Sequence, residues 1–441
     1  MRILAGLLLL LQGHAKKPWI WTEETPTYNP DAPNPRLPSH GFGARIAVLG
    51  DLDHDGVADL AISAPLETGG PESGCVFVVS GLDGHLLRTI ANPHGADRFG
   101  VTLESCADVD LDGYEDLVVG SRGNFTCVVS SRTEGLIRKF SHRSAVAASD
   151  LDGDGVPEWI SGCLLDCGER RHDHRGFVSA VSGCDEAELW RVYGSPETCL
   201  PGGGFRMDGF GGVLCVLGDL DGDGVPDLAA GIPGHLRAEQ RVGGVRFLSG
   251  KTGATLFVVP GPFAPDQFGA GTRLRRIGDL DGDGNDDVLV ASESDRPVFA
   301  LSSRTGDVLL TLRHQLSYGN LAGFGDSIAI AGDLDRDGIA DIAVGCSEFL
   351  DDEGDGYSVE VFSGSDGHLL VGLDAGDQHA IVGDSQDFDR DGIPDLPVGL
   401  PETDEVLILS GRELQAKLRG PPVLRSDWPL LKAIRRADLV R

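Results

Sequence analysis

The sequence predicts an all-β chain folded as a seven-bladed β-propeller of four-stranded antiparallel blades, on three observations. A nine-residue acidic pattern occurs seven times, beginning at Asp51, Asp108, Asp150, Asp219, Asp279, Asp333 and Asp387. The intervals are 57, 42, 69, 60, 54 and 54 residues, a mean of 56, slightly above the length of a four-stranded blade. Each period also holds four short apolar runs divided by turn residues, the pattern of an antiparallel meander. Composition agrees, because 63 Gly with only 2 Met and 5 Tyr describe a turn-rich chain and not a helical bundle.

Taken in order, residues 1–15 run from the basic start Met1-Arg2 through an apolar stretch to Gly13-His14-Ala15. This is the pattern of a signal peptide cut after Ala15, and it predicts export. No later segment is long and apolar enough to span a bilayer. Residues 16–40 form a leader interrupted by six prolines, in which Trp19 and Trp21 flank Ile20. An edge strand helping to close the ring is one reading of it, and an extended linker is the other.

The propeller is expected over residues 41–420. In the first unit the four runs are Arg45 to Leu49, Leu60 to Ser63, Cys75 to Ser80 and His85 to Ile90, with the turn Gly81-Leu82-Asp83-Gly84 before the last. The short 42-residue interval keeps its four runs and has lost loops only. The 69-residue interval carries the insertions. In the last unit Leu407 to Gly411 is followed by Leu414 to Leu418, read as the fourth strand, so blade seven closes against blade one without a borrowed strand. Residues 421–441 are a basic tail, and Trp428 to Arg436 is expected to form a short amphipathic helix.

The repeated pattern places four carboxylates in nine residues, at positions one, three, five and nine. They are Asp51, Asp53, Asp55 and Asp59; Asp108, Asp110, Asp112 and Asp116; Asp150, Asp152, Asp154 and Glu158; Asp219, Asp221, Asp223 and Asp227; Asp279, Asp281, Asp283 and Asp287; Asp333, Asp335, Asp337 and Asp341; Asp387, Asp389, Asp391 and Asp395. Oxygen donors at alternate positions, a Gly for the sharp turn at position six and a backbone carbonyl at position seven predict Ca²⁺ loops, up to seven of them. They are not EF-hands: position twelve, where a bidentate Glu is required, is Ile62, Val119, Ser161, Ala230, Val290, Val344 or Val398. Position ten is apolar every time, so each loop is expected to join two strands of one blade. Seven divalent cations would bring the formal charge from −32 to −18. Either value argues against nucleic acid as a partner, since phosphate binding needs a basic stripe.

Phe-Gly precedes the loops at Phe42-Gly43, Phe99-Gly100, Phe210-Gly211, Phe268-Gly269 and Phe324-Gly325, and Ser63-Ala64-Pro65, Gly231-Ile232-Pro233 and Gly399-Leu400-Pro401 follow them. With these motifs the chain resembles the FG-GAP repeat family, known from the seven-bladed propeller of integrin α subunits and from secreted bacterial proteins. The third and seventh units depart from it, with Ser141-His142 and Gln378-His379 in place of Phe-Gly. A full set of acidic loops resembles the secreted bacterial branch more than integrins, whose propellers load only some blades.

The nine cysteines include Cys163, Cys167, Cys184 and Cys199 in one irregular region, where export favours some disulfides; with His172 and His174 the first two also have zinc-type donors, at a nonstandard spacing. Asn124-Phe125-Thr126 is a glycosylation sequon. No G-x-S-x-G elbow, P-loop or H-E-x-x-H motif is present, and the acids are explained as metal ligands, so no enzyme is expected. The resemblance implies an extracellular binding or adhesion module for a protein or glycan; a monomer is expected, and because rigid scaffolds display function on loops it is expected to work through the face opposite the loops or the long loops of the third unit. A polysaccharide-active lyase or hydrolase using the central pocket, and a structural envelope component, are the alternatives.

Overall fold

The computed structural model describes residues 39–67, 74–93, 98–122, 125–141, 144–148, 150–163, 176–195, 198–199, 205–206, 209–234, 236–237, 240–241, 243–261, 273–292, 297–314, 323–346, 358–375, 378–418, 420, 423–424 and 427–440. The signal peptide, the leader up to Pro38 with Trp19 and Trp21, Asn124, the Cys167 to His174 segment and Phe268-Gly269 lie outside them.

Seven sheets, each built around a four-stranded antiparallel meander, make the seven-bladed propeller. Blade one is Ile46–Val48, Leu60–Ala64, Cys75–Val79 and Leu86–Ala91; blade two is Thr102–Cys106, Asp116–Ser121, Phe125–Val129 and Leu136–Phe140. Blade three is Ser144–Ala147, Trp159–Cys163, Phe177–Val181 and Glu188–Tyr193; blade four is Leu214–Val216, Leu228–Gly231, Gly244–Leu248 and Thr255–Pro260. Blade five is Arg273–Ile277, Asp287–Ala291, Val298–Leu301 and Val308–Leu312; blade six begins Ser327–Gly332, Asp341–Gly345, Val359–Phe362 and Leu369–Asp374. The second strands are almost wholly buried and read as continuous apolar runs, because a neighbouring blade covers each of their faces. The fourth strands are outermost and are only partly buried.

The hydrophobic core is divided into seven packets, each lying in the seam between two adjacent blades, including a packet between blades seven and one. The Phe-Gly motifs build these seams. Phe42, Phe99, Phe210 and Phe324 are buried, and Phe99, for example, packs among residues of blades one and two. The glycine that follows has φ of 94° at Gly43 and 83° at Gly211, and a Cβ there would approach the preceding blade, 3.1 Å from Gly399 Cα or 2.2 Å from Phe177 O. Only glycine combines that backbone with that closeness.

Blade seven corrects the reading of the C-terminus. Ile381–Val382, Leu396–Leu400 and Glu405–Leu409 are its first three strands, but Gly411–Gln415 is a helix and not the expected strand. The chain then pairs Val423–Leu424 in parallel with the outer strand of blade six and returns as Leu430–Arg435, the fourth strand of blade seven. The stretch expected to be an amphipathic helix is therefore mainly strand, with only Arg436–Leu439 helical. In the other blades the residue four beyond the turn serine adopts a left-handed φ, at Gly84, Glu134, Glu186, Gly253, Gly306 and Gly367. Leu414 stands there in blade seven, followed by the good helix formers Gln415 and Ala416. A buried γ-branched side chain disfavours the left-handed turn, and Ser410 caps a helix instead by accepting from the Glu413 amide.

The ring closes as expected, blade seven on blade one. Asp404 accepts from the amides of His40 and Phe42 at 3.0 Å each and faces His40 Nδ1 at 2.9 Å. Lys432 donates to the carbonyls of Gly81 and Leu82, and Arg436 makes a two-pronged ion pair with Glu67.

Candidate metal centres

Each acidic loop joins the first and second strands of its blade, as the apolar position ten predicts. The carboxylates organise their own loop. Asp51 accepts from the amides of Asp55 (3.0 Å) and Gly56 (2.8 Å), and Asp219 from those of Asp223 (3.1 Å) and Gly224 (2.8 Å). The position-five acid accepts from the amide two residues on, as in Asp55 with Val57 at 2.9 Å. Glycine follows at position six with φ near 90°, 88° at Gly56 and 86° at Gly224.

Oxygens of Asp51, Asp53 and Asp59 lie within 4.8 Å of one another, as do those of Asp108, Asp110 and Asp116; Asp219, Asp221 and Asp227; and Asp279, Asp281 and Asp287. In the third loop all four acids, Asp150, Asp152, Asp154 and Glu158, converge in this way. Ligand oxygens at about 2.3–2.6 Å from one calcium ion stand no more than about 5 Å apart, so this spacing fits a hard cation. The structure adds a second sign of fit. Asp112 Oδ2 and Asp283 Oδ2, both at position five, are buried with no hydrogen-bond partner. Buried carboxylate oxygens left this way are costly unless a cation meets them.

Position nine does more than the sequence predicts. Its acid is fully buried in all seven loops, and one oxygen accepts from the position-two amide, at 2.7 Å in Asp59 with Leu52 and Asp227 with Leu220. The other oxygen crosses to the turn between strands three and four, accepting from Gly81 (3.0 Å), Gly250 (2.9 Å), Ser303 (3.1 Å), Gly364 (3.1 Å) or Gly411 (2.9 Å). This acid thus latches the two hairpins of a blade together at one face. The signal for it was a serine pair or Ser-Gly after every third strand, at Ser80-Gly81, Ser130-Ser131, Ser182-Gly183, Ser249-Gly250, Ser302-Ser303, Ser363-Gly364 and Ser410-Gly411.

Burial raises the carboxyls of Asp59, Glu158, Asp227 and Asp287 above the usual range, pushes Asp116 and Asp395 up to about 6, and pushes Asp341 up to about 7. The exposed position-one acid behaves oppositely: the Gly284 amide, helped by other loop amides, holds Asp279 below its ordinary value against desolvation. One loop therefore combines a ready anion at its rim with a reluctant one at its base, and a cation would favour ionisation of both.

Away from the loops, the first strands of the blades are neighbours around the axis. Beside them Arg275, on the first strand of blade five, pairs with Asp384, just beyond the first strand of blade seven. Glu104 reaches solvent here but is crowded by protein, which holds its carboxyl above the ordinary range while Arg275 opposes the shift. Cys184, in the region where disulfides are expected, is a free and exposed thiol. No helix among the described residues is long and apolar enough to cross a membrane.

Family models and curated proteins match parts of the chain. The FG-GAP repeat model matches residues 42–79 and 210–247, and the FG-GAP-like repeat model matches residues 279–344. Integrin alpha-V of Gallus gallus is 38% identical over 96 residues, 20% of this chain and 9% of that protein. Human integrin alpha-7 is 32% identical over 123 residues (26% and 10%), and human integrin alpha-IIb 41% over 88 residues (19% and 8%). The matched segment spans about a tenth of these relatives. Saccharomyces cerevisiae Sqt1 aligns with a TM-score of 0.49 at 11% identity, over 85% of this chain and 84% of that one. The chain carries FG-GAP repeats in a seven-bladed β-propeller similar to that of integrin α subunits.

Proposed function

We propose that the chain is a secreted, calcium-binding propeller that serves as an extracellular binding or adhesion module for a protein or glycan. The observation that carries the reading is the convergence of loop carboxylates to within 4.8 Å, with buried oxygens left for a cation to meet. Calcium suits these loops because the donors are all hard oxygens and the loop geometry repeats that of an oxygen cage. The ligands would be the acids at positions one, three, five and nine with the position-seven carbonyl. Bound cations would tie each first hairpin down and hold the blade edges rigid, leaving the opposite face to display loops to a partner. Similarity to integrin α subunits supports an extracellular binding role.

Chelation tests the metal half: removing calcium is expected to lower the melting temperature by more than 10 °C, and an unchanged melt would overturn it. A glycan array and a pull-down of secreted proteins on calcium-loaded chain test the binding half. The enzyme alternative has one observation on its side, the raised carboxyl of Glu104 on the axis. It predicts turnover of a polysaccharide that Glu104→Gln abolishes.

A further inference from the structure

The seven loops differ in what already holds the position-five carboxylate, and this difference rests on the calcium reading above. In loops two and five, Asp112 Oδ1 and Asp283 Oδ1 accept local amides at 3.1 and 2.9 Å, while the Oδ2 atoms are buried and unpartnered. Loops one and six give the second oxygen a neutral partner, Ser80 Oγ at 3.1 Å from Asp55 and Ser363 Oγ at 3.5 Å from Asp337. Loop one also has a guanidinium nearby, Arg390 Nη2 at 3.6 Å from Asp55 Oδ1, but among the described loops only loop seven has a cation at hydrogen-bonding distance from the second oxygen: Arg412 Nε stands 2.6 Å from Asp391 Oδ2, and its Nη2 donates to the Asp391 carbonyl at 3.2 Å.

Basic residues occupy the same place elsewhere without taking the carboxylate. Arg132 and Lys251, each two residues beyond the turn serine like Arg412, reach only the position-five carbonyls, Asp112 O at 3.0 Å and Asp223 O at 3.4 Å. Arg132 instead lies over the Tyr114 ring at 4.9 Å. Arg412 differs because it sits in the first turn of the helix Gly411–Gln415, which replaces the tight turn in blade seven only. The irregular chain path that completes the blade is thus what aims a guanidinium at the loop.

We infer that Arg412 is a built-in competitor for the loop-seven cation, so that the loops form a graded series in which two and five bind calcium most tightly and seven most weakly. A divalent ion entering loop seven must displace or tolerate a positive charge a few ångströms away. Because Arg412 is more than half exposed, solvent screens this repulsion to roughly a five-fold loss of affinity. Loop seven would then be the one whose occupancy responds to calcium over the range where the others stay full.

The test is site-resolved occupancy. Crystals of the full chain equilibrated at graded free calcium are read by long-wavelength anomalous diffraction at each loop. Loop seven is expected to reach half occupancy at a calcium concentration several-fold above loops two and five, and Arg412→Gln to lower its midpoint roughly five-fold while the other six serve as internal controls. Filling of loop seven together with or before loops two and five, or an unshifted midpoint in Arg412→Gln, would overturn the inference and leave calcium binding intact. Calcium in none of the loops would overturn the calcium reading itself, and this ordering with it.

Discussion

Two seams of the propeller share one defect and repair it differently. Blades three and seven lack Phe-Gly, so the seams between blades two and three and between blades six and seven both lose the aromatic wedge. The second and third blades meet through five buried residues, Val118, Val128, Phe140, Ala145 and Trp159, with the Phe140 and Trp159 rings 5.5 Å apart. The sixth and seventh blades meet through twenty, including Leu414, Val423 and Trp428 from the segment that leaves blade seven and returns. One seam replaces a lost phenylalanine with a larger ring from an adjacent strand. The other imports side chains from a remote part of the chain. Packing at a seam is a matter of filled volume, and it does not matter which segment supplies it.

Breaking the imported seam should have the largest effect. Truncation after Gly420 removes Val423 and Trp428 from one packet, Ile434 from the next and a whole strand from blade seven. The expected loss exceeds about 5 kcal/mol, enough to abolish cooperative melting by circular dichroism. A truncated chain that still melts in one sharp transition would show that the ring closes without its last strand.

At the lean seam, Trp159→Ala should cost about 3–5 kcal/mol in denaturant titration, since a 1% exposed ring leaves a cavity that four other buried residues cannot fill. Trp428→Ala should cost less, because it lies in the larger packet and is slightly more exposed. The reverse order would mean that packet size does not predict how well a seam relaxes.

Acidity distinguishes the seams again. In chelated protein Asp341, Asp395 and Asp116 have folded pKa values of about 7, 6 and 6 against an ordinary 3.8. A raised carboxyl pKa means that the folded state holds the proton more tightly, so its contribution is complete below pH 4 and is lost as pH rises through 6 to 7. The metal-free melting temperature should therefore fall between about pH 4 and 7, with the largest rise in amide exchange in blade six, where Asp341 carries the largest shift, and calcium should suppress the trend. A metal-free protein that gains stability over that interval would contradict the assignment. The smallest effect is expected at the closure: Arg436→Gln breaks a partly exposed ion pair with Glu67 and should cost about 0.5–1 kcal/mol.

Much of this was legible in the sequence. Seven acidic loops, the four apolar runs of each unit and the glycine after each buried phenylalanine depend on local pattern and spacing, so the count of blades and the place of the loops could be read directly. The hidden part was non-local. The position-nine acids looked like ligands only, and their bond to the next hairpin appears once strands three and four lie beside the loop. Leu430 to Arg435 reads equally well as an amphipathic helix or a strand, because six residues of mixed polarity fit either period.

The sequence by itself determined the repeat, the fold class and which carboxylates could share a cation, since each follows from contacts within about sixty residues. Tertiary structure decided how the ring is finished. Leu414 lies in a helix and not in a left-handed turn, the chain pairs with the outer strand of blade six, and the edge at Glu405–Leu409 is completed by the later strand Leu430–Arg435. That choice depends on burial and backbone pairing between distant segments, for which linear order carries no local signal.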